Sequence, residues 1–360
     1  MTSAERVKTL LNKDIPDQMG LYEHWWGETL RDHWPDQGYP KDEKPDVYFD
    51  YDIVGCGGWI NSTPFMDVED VVEETDRWKV TKNGRGATLK HWKGRSGTPE
   101  HIGFEVTSPE VWKKYREPLL ELSTDRIGNV DDARKALADA RDRGKFAVMG
   151  NLFVWELMRC TIGEENFLPA LLTDPDWIHD FCQVHLDFYI KHYELLFREA
   201  GLPDGFFIYE DFGFSNGLYC SPKTLGELVM PYEKAFVSFL KDYGLPVLMH
   251  SCGDIRKAVP LMIDAGFDCL QPMEAKAGND VLEFARIYGN QISYMGNINI
   301  VPLSTNDPAA VRAEIEPKVK ELNRLRIPYF FHSDHSIPPN VSFETYKLAL
   351  QIFQENSRYE

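Results

Sequence analysis

The chain has 360 residues, 43% of them hydrophobic, and a formal net charge of −18 from 57 acidic and 39 basic residues. This length can bury one large core, whereas the acidic balance argues against nucleic acid or an anionic membrane surface as a partner, because either would need a basic face. No run approaches the roughly 20 apolar residues of a membrane span, and the charged first residues lack the apolar core of a signal peptide, so we expect a cytoplasmic protein.

The first 140 residues lack a regular alternation of strands and helices. Six of the nine tryptophans fall within the first hundred positions. We expect a helical, Trp-rich layer with a small β excursion at 77–97. Two stretches in this part, 46–55 and 101–108, are typical of barrel strands. Residues 1–140 are therefore predicted to form an N-terminal elaboration packed on the barrel, within one structural domain.

From about residue 145 onward, short apolar runs alternate with helix-like segments such as 177–201 and 221–244. This alternation predicts a parallel sheet covered by helices. The strand candidates are 146–151, 205–213, 246–253, 269–274, 292–299 and 329–336. With the two earlier stretches they make eight, which predicts a closed barrel with 141–360 as its main part. A doubly wound open sheet is less favoured, because no Gly-x-Gly-x-x-Gly follows a strand.

Polar side chains stand where most of these strands end. In a parallel barrel the strand ends meet at one rim, where catalytic groups lie, so the pattern predicts an enzyme. Each residue alone could instead belong to a turn. The predicted catalytic candidates, for orienting a substrate or moving a proton, are Glu210, Asp211, Glu274 and Asn297.

His250 and Cys252 stand two residues apart in a predicted strand and therefore share one face. Imidazole nitrogen and thiolate sulfur suit zinc, and a catalytic zinc needs a third protein ligand and an open position. As a lone motif His-x-Cys has low specificity, and an ordinary loop is the alternative. The remaining cysteines lack framework spacing and are expected to be reduced. The candidates for the third ligand are His335 and Asp334, and after them Glu210, Asp211 and Glu274.

Three segments carry a resemblance to a known family. They are LPVLMHSCGDIRKAVPLMIDAGFDCLQP (245–272), YGNQISYMGNIN (288–299) and FHSDHSIPPNVSFETYKLALQIF (331–353). Over these segments the chain resembles the uroporphyrinogen decarboxylase superfamily, whose fold is a (β/α)8 barrel. One branch of the superfamily decarboxylates uroporphyrinogen without a cofactor. The other branch consists of zinc-dependent methyltransferases that exchange methyl groups with a corrinoid protein.

The resemblance implies the methyltransferase branch. The decarboxylases carry an N-terminal motif of the Arg-Gln-Ala-Gly-Arg-Tyr type, whereas the nearest stretch here, YEHWWGETLRDHW (22–34), is aromatic and acidic. The methyltransferases carry His-x-Cys at the strand end, as His250 and Cys252 do. Their third ligand is a Cys before a Gly-Ile-x-Pro-like segment, and in this chain His335 precedes SIPP (336–339). The decarboxylases also carry a His near that place.

The resemblance thus implies a zinc enzyme that moves a methyl group from a methyl ether, such as a methoxylated aromatic, to the Co(I) corrinoid of a partner protein. Zinc would activate the ether oxygen, and a His in place of the usual Cys would leave it a stronger Lewis acid. No Asp-x-His-x-x-Gly corrinoid-binding motif occurs in the chain. The alternatives are methyl transfer from the corrinoid to a thiol or tetrahydrofolate, and cofactor-free decarboxylation. A homodimer is one option for the assembly.

Overall fold

The computed structural model describes residues 1–94 and 97–359 and contains a central sheet of eight parallel strands. Numbered in chain order, the strands of the described residues are β1 (Gly20–Leu21), β2 (Ile53–Gly55), β3 (Glu69–Glu74), β4 (Trp78–Asn83), β5 (Ala87–Trp92), β6 (Glu100–Phe104), β7 (Phe146–Leu152), β8 (Gly205–Tyr209), β9 (Gly213–Phe214), β10 (Gly217–Leu218), β11 (Val247–Ser251), β12 (Cys269–Pro272), β13 (Ser293–Met295) and β14 (Tyr329–Phe331).

Helices surround this sheet and connect its strands. In chain order they are α1 (Ser3–Leu11), α2 (Pro45–Tyr48), α3 (Pro109–Arg116), α4 (Val130–Asp142), α5 (Val154–Thr161), α6 (Glu164–Thr173), α7 (Pro175–Ala200), α8 (Pro222–Leu228), α9 (Met230–Asp242), α10 (Val259–Ala265), α11 (Val281–Tyr288), α12 (Ile300–Ser304), α13 (Pro308–Arg324) and α14 (Phe343–Asn356). The segment 221–244 forms two helices, α8 and α9, because Pro231 cannot donate a backbone hydrogen bond to the preceding turn. None of the helices in the described part of the chain is long and apolar enough to cross a bilayer.

The sheet runs in the spatial order β1, β14, β13, β12, β11, β8, β7, β2, and all its neighbouring strands are parallel. The two ends of this order meet at Asp52, whose amide donates to the carbonyl of Leu21 over 2.9 Å. The Asp52 carboxylate accepts from the Leu21 amide at 2.8 Å and pairs with Arg6 at 2.7 Å. The expected (β/α)8 barrel is therefore confirmed.

The expectation that 101–108 forms the eighth barrel strand is wrong. Glu100–Phe104 belongs to a separate antiparallel sheet of β3, β4, β5 and β6, and the eighth barrel strand is Gly20–Leu21. Two residues are too few to show a strand period. The excursion expected at 77–97 is confirmed over β4 and β5, while its residues 95 and 96 lie outside the described residues. This antiparallel sheet is referred to below as the mouth sheet.

Helix α1 closes the end of the barrel at which the strands begin. Its side chains Val7, Leu10 and Leu11 are buried against residues that point into the barrel. Those inward-facing residues are Ile53, Phe146, Val148, Phe207, Leu248, Cys269, Met295 and Phe330. With this end filled, the opposite end, where the strands finish in polar residues, is the open mouth of the fold.

One buried carboxyl group gives a prediction about stability. Burial raises the pKa of Glu233, on α9, from its ordinary value of 4.5 to about 8. The buried carboxyl group of Glu210 faces it, and no other hydrogen-bond partner of Glu233 lies among the described residues. Because the folded protein holds this proton more tightly than the unfolded chain, the contribution of Glu233 to the free energy of unfolding is largest below pH 4.5 and is lost as the pH rises towards 8.

Glu233→Gln removes this titration. We expect the free energy of unfolding of the variant, relative to that of the parent, to be about 2–4 kcal/mol higher at pH 8 than at pH 5. Urea unfolding of both proteins at the two pH values measures this difference. Glu227→Gln, on the exposed side of α8, is the control and should show no such difference. An equal effect of Glu233→Gln at both pH values would contradict a buried proton at this position.

Candidate metal centre and active site

Three potential metal ligands meet at the barrel mouth. The ligand atoms of Asp211, His250 and Cys252 all lie within 4.8 Å of one another. Asp211 follows β8, while His250 lies on β11 and Cys252 follows it. These two strands are parallel neighbours, with His250 in register with Tyr209, so their ends bring the three side chains together.

The spacing of the three ligand atoms fits a tetrahedral zinc ion. The usual zinc bond lengths place sulfur about 3.5 Å from nitrogen, and nitrogen about 3.3 Å from oxygen, around such an ion. In this protein His250 Nε2 lies 3.5 Å from Cys252 Sγ and 3.5 Å from Asp211 Oδ1. Nitrogen, sulfur and oxygen ligands in this arrangement leave one tetrahedral position for a substrate. The residues present therefore fit a catalytic zinc site.

Two carboxylates hold the backbone around Cys252. Asp211 accepts from the Cys252 amide at 2.9 Å, and Glu274 accepts from the Gly253 amide at 2.7 Å. Gly253 has a φ of +76°, and a Cβ there would lie 2.2 Å from the carbonyl carbon of Gly213. Burial, and then the charges of Asp211 and Glu274, raise the pKa of the Cys252 thiol well above its usual range. A bound cation would offset both effects and stabilise the thiolate.

Behind His250 lies a buried group of polar side chains. His250 Nδ1 is 2.6 Å from Gln271 Oε1, on β12. The Gln271 amide nitrogen is 3.1 Å from His332 Nε2 and 3.2 Å from His24 Nδ1, and these two ring nitrogens lie 2.9 Å apart. Burial lowers the pKa of His332 to about 3 and the pKa of His24 well below its usual range, so both rings are neutral at pH 7.

A buried carboxyl group lies under the same histidines. Glu23 accepts hydrogen bonds from the amides of His24 and Ser333 and from the Ser333 hydroxyl. One of its oxygens is 3.3 Å from His332 Nδ1. Burial raises the pKa of Glu23 to about 8. Glu23 therefore joins the segment after β1 to the segment after β14.

A cavity of about 950 Å³ opens above the metal ligands. Residues from the mouth sheet, from α5 and α6, and from the strand ends form its wall. The lining residues are Trp26, Leu89, Thr98, Pro99, His101, Ile102, Gly103, Phe104, Glu156, Arg159, Cys160, Glu164, Glu165, Asn166, Asp211, Cys252 and His335. The wall is aromatic and apolar on the side of the mouth sheet and charged on the side of the two helices.

The charged side of the cavity is acidic. Arg159 is paired with Glu156 at 2.6 Å and with Glu164 at 2.8 Å. It also lies 3.6 Å from Asp211. Burial, and then the charge of Asp211, raise the pKa of Glu156 to about 7. Among the described residues that line the cavity, the one guanidinium is thus already paired, and the surplus carboxylates give this part of the wall a negative charge.

A family model described as uroporphyrinogen decarboxylase (URO-D) matches residues 94–355. The chain belongs to this family. A curated relative, the methylated-thiol–coenzyme M methyltransferase of Methanosarcina mazei, is 26% identical over 144 residues, which are 40% of this chain and 36% of that protein. The match thus spans little more than a third of the relative's length. A solved structure of a methyltransferase from Methanosarcina mazei has the same fold, with a TM-score of 0.66 at 14% identity over 99% of both chains.

His335 of this URO-D family member lies on the cavity wall. Its ring stacks on Trp26 with the centroids 5.8 Å apart. His335 does not belong to the group of Asp211, His250 and Cys252, whose ligand atoms lie within 4.8 Å of one another. Its role as the third ligand stays a prediction. Asp334, the other first candidate, is fully buried and accepts from the amides of Ala275 and Ile300. Its carboxylate therefore holds the loops of the rim together.

Like Asp211 and Glu274, the other two predicted catalytic residues bind backbone groups. Glu210 is fully buried and accepts from the amides of Trp155 and Glu156 at the start of α5, over 2.8 and 2.7 Å. Asn297 accepts from the Val281 amide and donates to backbone carbonyls. Neither is among the described residues that line the cavity, whereas the predicted Asp211 is. The catalytic roles of Glu210, Glu274 and Asn297 stay predictions.

Sequence reasoning missed His24, Glu156 and Arg159. His24 follows β1, so it is a strand-end residue like the others, but the two-residue strand gave no periodic signal. Glu156 and Arg159 lie one turn apart on α5, immediately after β7, and therefore on the loop side where a barrel holds its site. Their position after a predicted strand was the available signal.

Proposed function

We propose that this protein is a zinc-dependent methyltransferase that takes the methyl group of a methoxylated aromatic compound and passes it to the Co(I) corrinoid of a partner protein. The observation that carries the proposal is the group of Asp211, His250 and Cys252, two of which line a cavity of about 950 Å³. Membership of the URO-D family and the methyltransferase named among its relatives support the same reaction class.

The ligand atoms favour an oxygen substrate. A zinc ion bound to these residues supplies a Lewis acid for the ether oxygen, which is otherwise a poor leaving group. The group has only one sulfur atom, beside one nitrogen and one carboxylate oxygen. A site with a single soft sulfur ligand suits a hard fourth ligand such as an ether oxygen better than a thioether sulfur.

The residues of the chain have distinct tasks in the proposed reaction. The carbon–oxygen bond of the ether breaks, the methyl carbon bonds to cobalt, and the electron pair stays on the oxygen, which then takes up a proton. Glu156 lines the cavity, and in this proposal it gives that proton. The Trp26 and Phe104 rings provide a flat apolar surface for an aromatic donor.

The charge of the cavity argues against the decarboxylase alternative. A substrate with several carboxylates would need free cationic groups, but Arg159 is already paired with Glu156 and Glu164. The carboxylates of Glu165 and Asp211 on the same wall would repel such a substrate. A neutral methoxyarene meets no such penalty.

A methylated thiol is the second candidate for the methyl donor. It is supported by the similarity of the chain to a curated relative from Methanosarcina mazei, a methylated-thiol–coenzyme M methyltransferase. In that case the sulfur of the donor would take the place of the ether oxygen.

The test mixes the zinc-loaded protein with free cob(I)alamin and follows the loss of the Co(I) absorbance. We expect 2-methoxyphenol to react at least about tenfold faster than dimethyl sulfide, because each 1.4 kcal/mol of extra transition-state stabilisation gives a factor of ten. Cys252→Ser is the control for activity that does not depend on the site. A faster reaction with dimethyl sulfide would establish the second candidate, and no reaction with either donor would contradict methyl transfer.

A further inference from the structure

We propose that His332 and Gln271 form a buried relay that selects the ring nitrogen with which His250 binds the metal. The relay begins at the backbone carbonyl of Ser333 and ends at His250 Nε2. The relay rests on the metal site of the proposed function. Each of its three links, however, is a hydrogen bond that exists without the metal.

The first link fixes the tautomer of His332. Its Nδ1 lies 2.6 Å from the carbonyl oxygen of Ser333. A carbonyl oxygen only accepts, so Nδ1 carries the hydrogen. In a neutral imidazole the other nitrogen, Nε2, is then an acceptor. His332 is fully buried, so water does not compete for either nitrogen.

The second link fixes the orientation of the Gln271 side chain. The acceptor nitrogen of His332 is 3.1 Å from the nitrogen end of the Gln271 amide. The reverse orientation would point the amide oxygen at a lone pair, leaving two acceptors in contact and an NH₂ group facing His250. Gln271 is 1% exposed, so that loss would not be recovered from water.

The third link passes this orientation to the metal ligand. With its nitrogen towards His332, Gln271 presents Oε1 to His250 Nδ1 at 2.6 Å. An amide oxygen only accepts, so His250 carries its hydrogen on Nδ1 and keeps the lone pair on Nε2. That nitrogen faces Cys252 Sγ and Asp211 Oδ1, each at 3.5 Å. A ligating histidine normally has its second nitrogen held in this way.

His24 strengthens the first link from the opposite side. Its Nδ1 is 2.9 Å from His332 Nε2 and donates to it, so the 3.2 Å contact of the same nitrogen with the Gln271 amide nitrogen is not a hydrogen bond. His24 Nε2 is left to accept from the Tyr22 hydroxyl at 3.4 Å. The acceptor nitrogen of His332 therefore has two donors facing it. Both donors would lose their bond if His332 changed its tautomer.

The test measures the tautomer of His250 in metal-free protein at pH 8, by ¹⁵N NMR of histidine-labelled samples. We expect the hydrogen on Nδ1 in the parent protein and in Gln271→Glu, because a carboxylate also accepts from Nδ1. In Gln271→Leu we expect a mixture of both tautomers. In His332→Phe we also expect a mixture, because the Gln271 amide loses the acceptor that orients it.

Zinc affinity, measured by chelator competition, gives the second readout. We expect Gln271→Leu to weaken binding by about 10–100-fold, whereas Gln291→Leu, at an exposed glutamine, leaves it unchanged. Unaltered thermal unfolding separates this effect from misfolding. A hydrogen on Nε2 in the parent protein, or zinc affinity of Gln271→Leu within twofold of the parent, would overturn the relay. If the parent binds no zinc, the proposed function fails, while the tautomer still tests the relay.

Discussion

Replacing Cys252 with serine is expected to remove bound zinc and methyl transfer together. Cys252 supplies the one sulfur of the grouped ligands, and its side chain faces His250 at 3.5 Å. Structural zinc sites bind with about 10–16 kcal/mol over four ligands, so one ligand accounts for about 3 kcal/mol, or about a hundredfold in affinity. His250→Ala should have an effect of the same size.

The measurement is metal content per chain after dialysis, compared with the rate of Co(I) loss in the same samples. We expect about one zinc per chain in the parent protein, since one group of ligands is present in the described residues. Cys160→Ser is the matched control, because Cys160 also lines the cavity but is not in the group. Full activity in a zinc-depleted sample would end the hypothesis of a zinc enzyme.

Asp211→Asn is expected to weaken zinc binding by about a hundredfold, while His335→Ala leaves zinc content unchanged. Asparagine keeps an acceptor oxygen for the Cys252 amide, so the backbone stays in place and only the anionic ligand is lost. The expected size assumes that each zinc ligand contributes about 3 kcal/mol to the free energy of zinc binding, as for Cys252. His335 stacks on Trp26 in the cavity wall, so its loss should act on KM for the methyl donor.

The opposite pattern would assign the third ligand to His335. In that case His335→Ala loses zinc, Asp211→Asn keeps it, and His335→Cys retains zinc but reacts more slowly with 2-methoxyphenol, because a thiolate makes zinc a weaker Lewis acid. Zinc content by mass spectrometry of the three variants decides between the two assignments. Loss of zinc in both Asp211→Asn and His335→Ala would show that both residues bind.

The barrel was predictable from sequence where a strand lies within a longer apolar run. The apolar runs from β7 onward exceed the length at which a strand pattern is recognisable, and each occurs in the structure. β1 is too short for any pattern, and its place was given in error to the segment of β6, which has strand-like residues but pairs antiparallel with β5. Strand pairing depends on the whole fold, so local sequence does not specify it.

The site was predictable only in part, for a related reason. His250 and Cys252 follow from the two-residue period of a strand, and Asp211 was among the alternatives at the end of its neighbour. Sequence does not show which strand-end carboxylates face the cavity and which bind amides. Asp211 and Glu210 are adjacent in the chain, yet one lines the cavity and the other is buried beneath α5.

The pairing of β1 with β14 also affects how the protein is made. Gly20 pairs with Phe330, 310 positions later in the chain. At a synthesis rate of about 5–20 residues per second, the ribosome needs about 15–60 s to reach the second partner. During this interval β1 lacks its neighbour β14, and the unfinished sheet has open edges that attract other chains. The nascent polypeptide therefore keeps these edges open until the barrel closes near the end of translation.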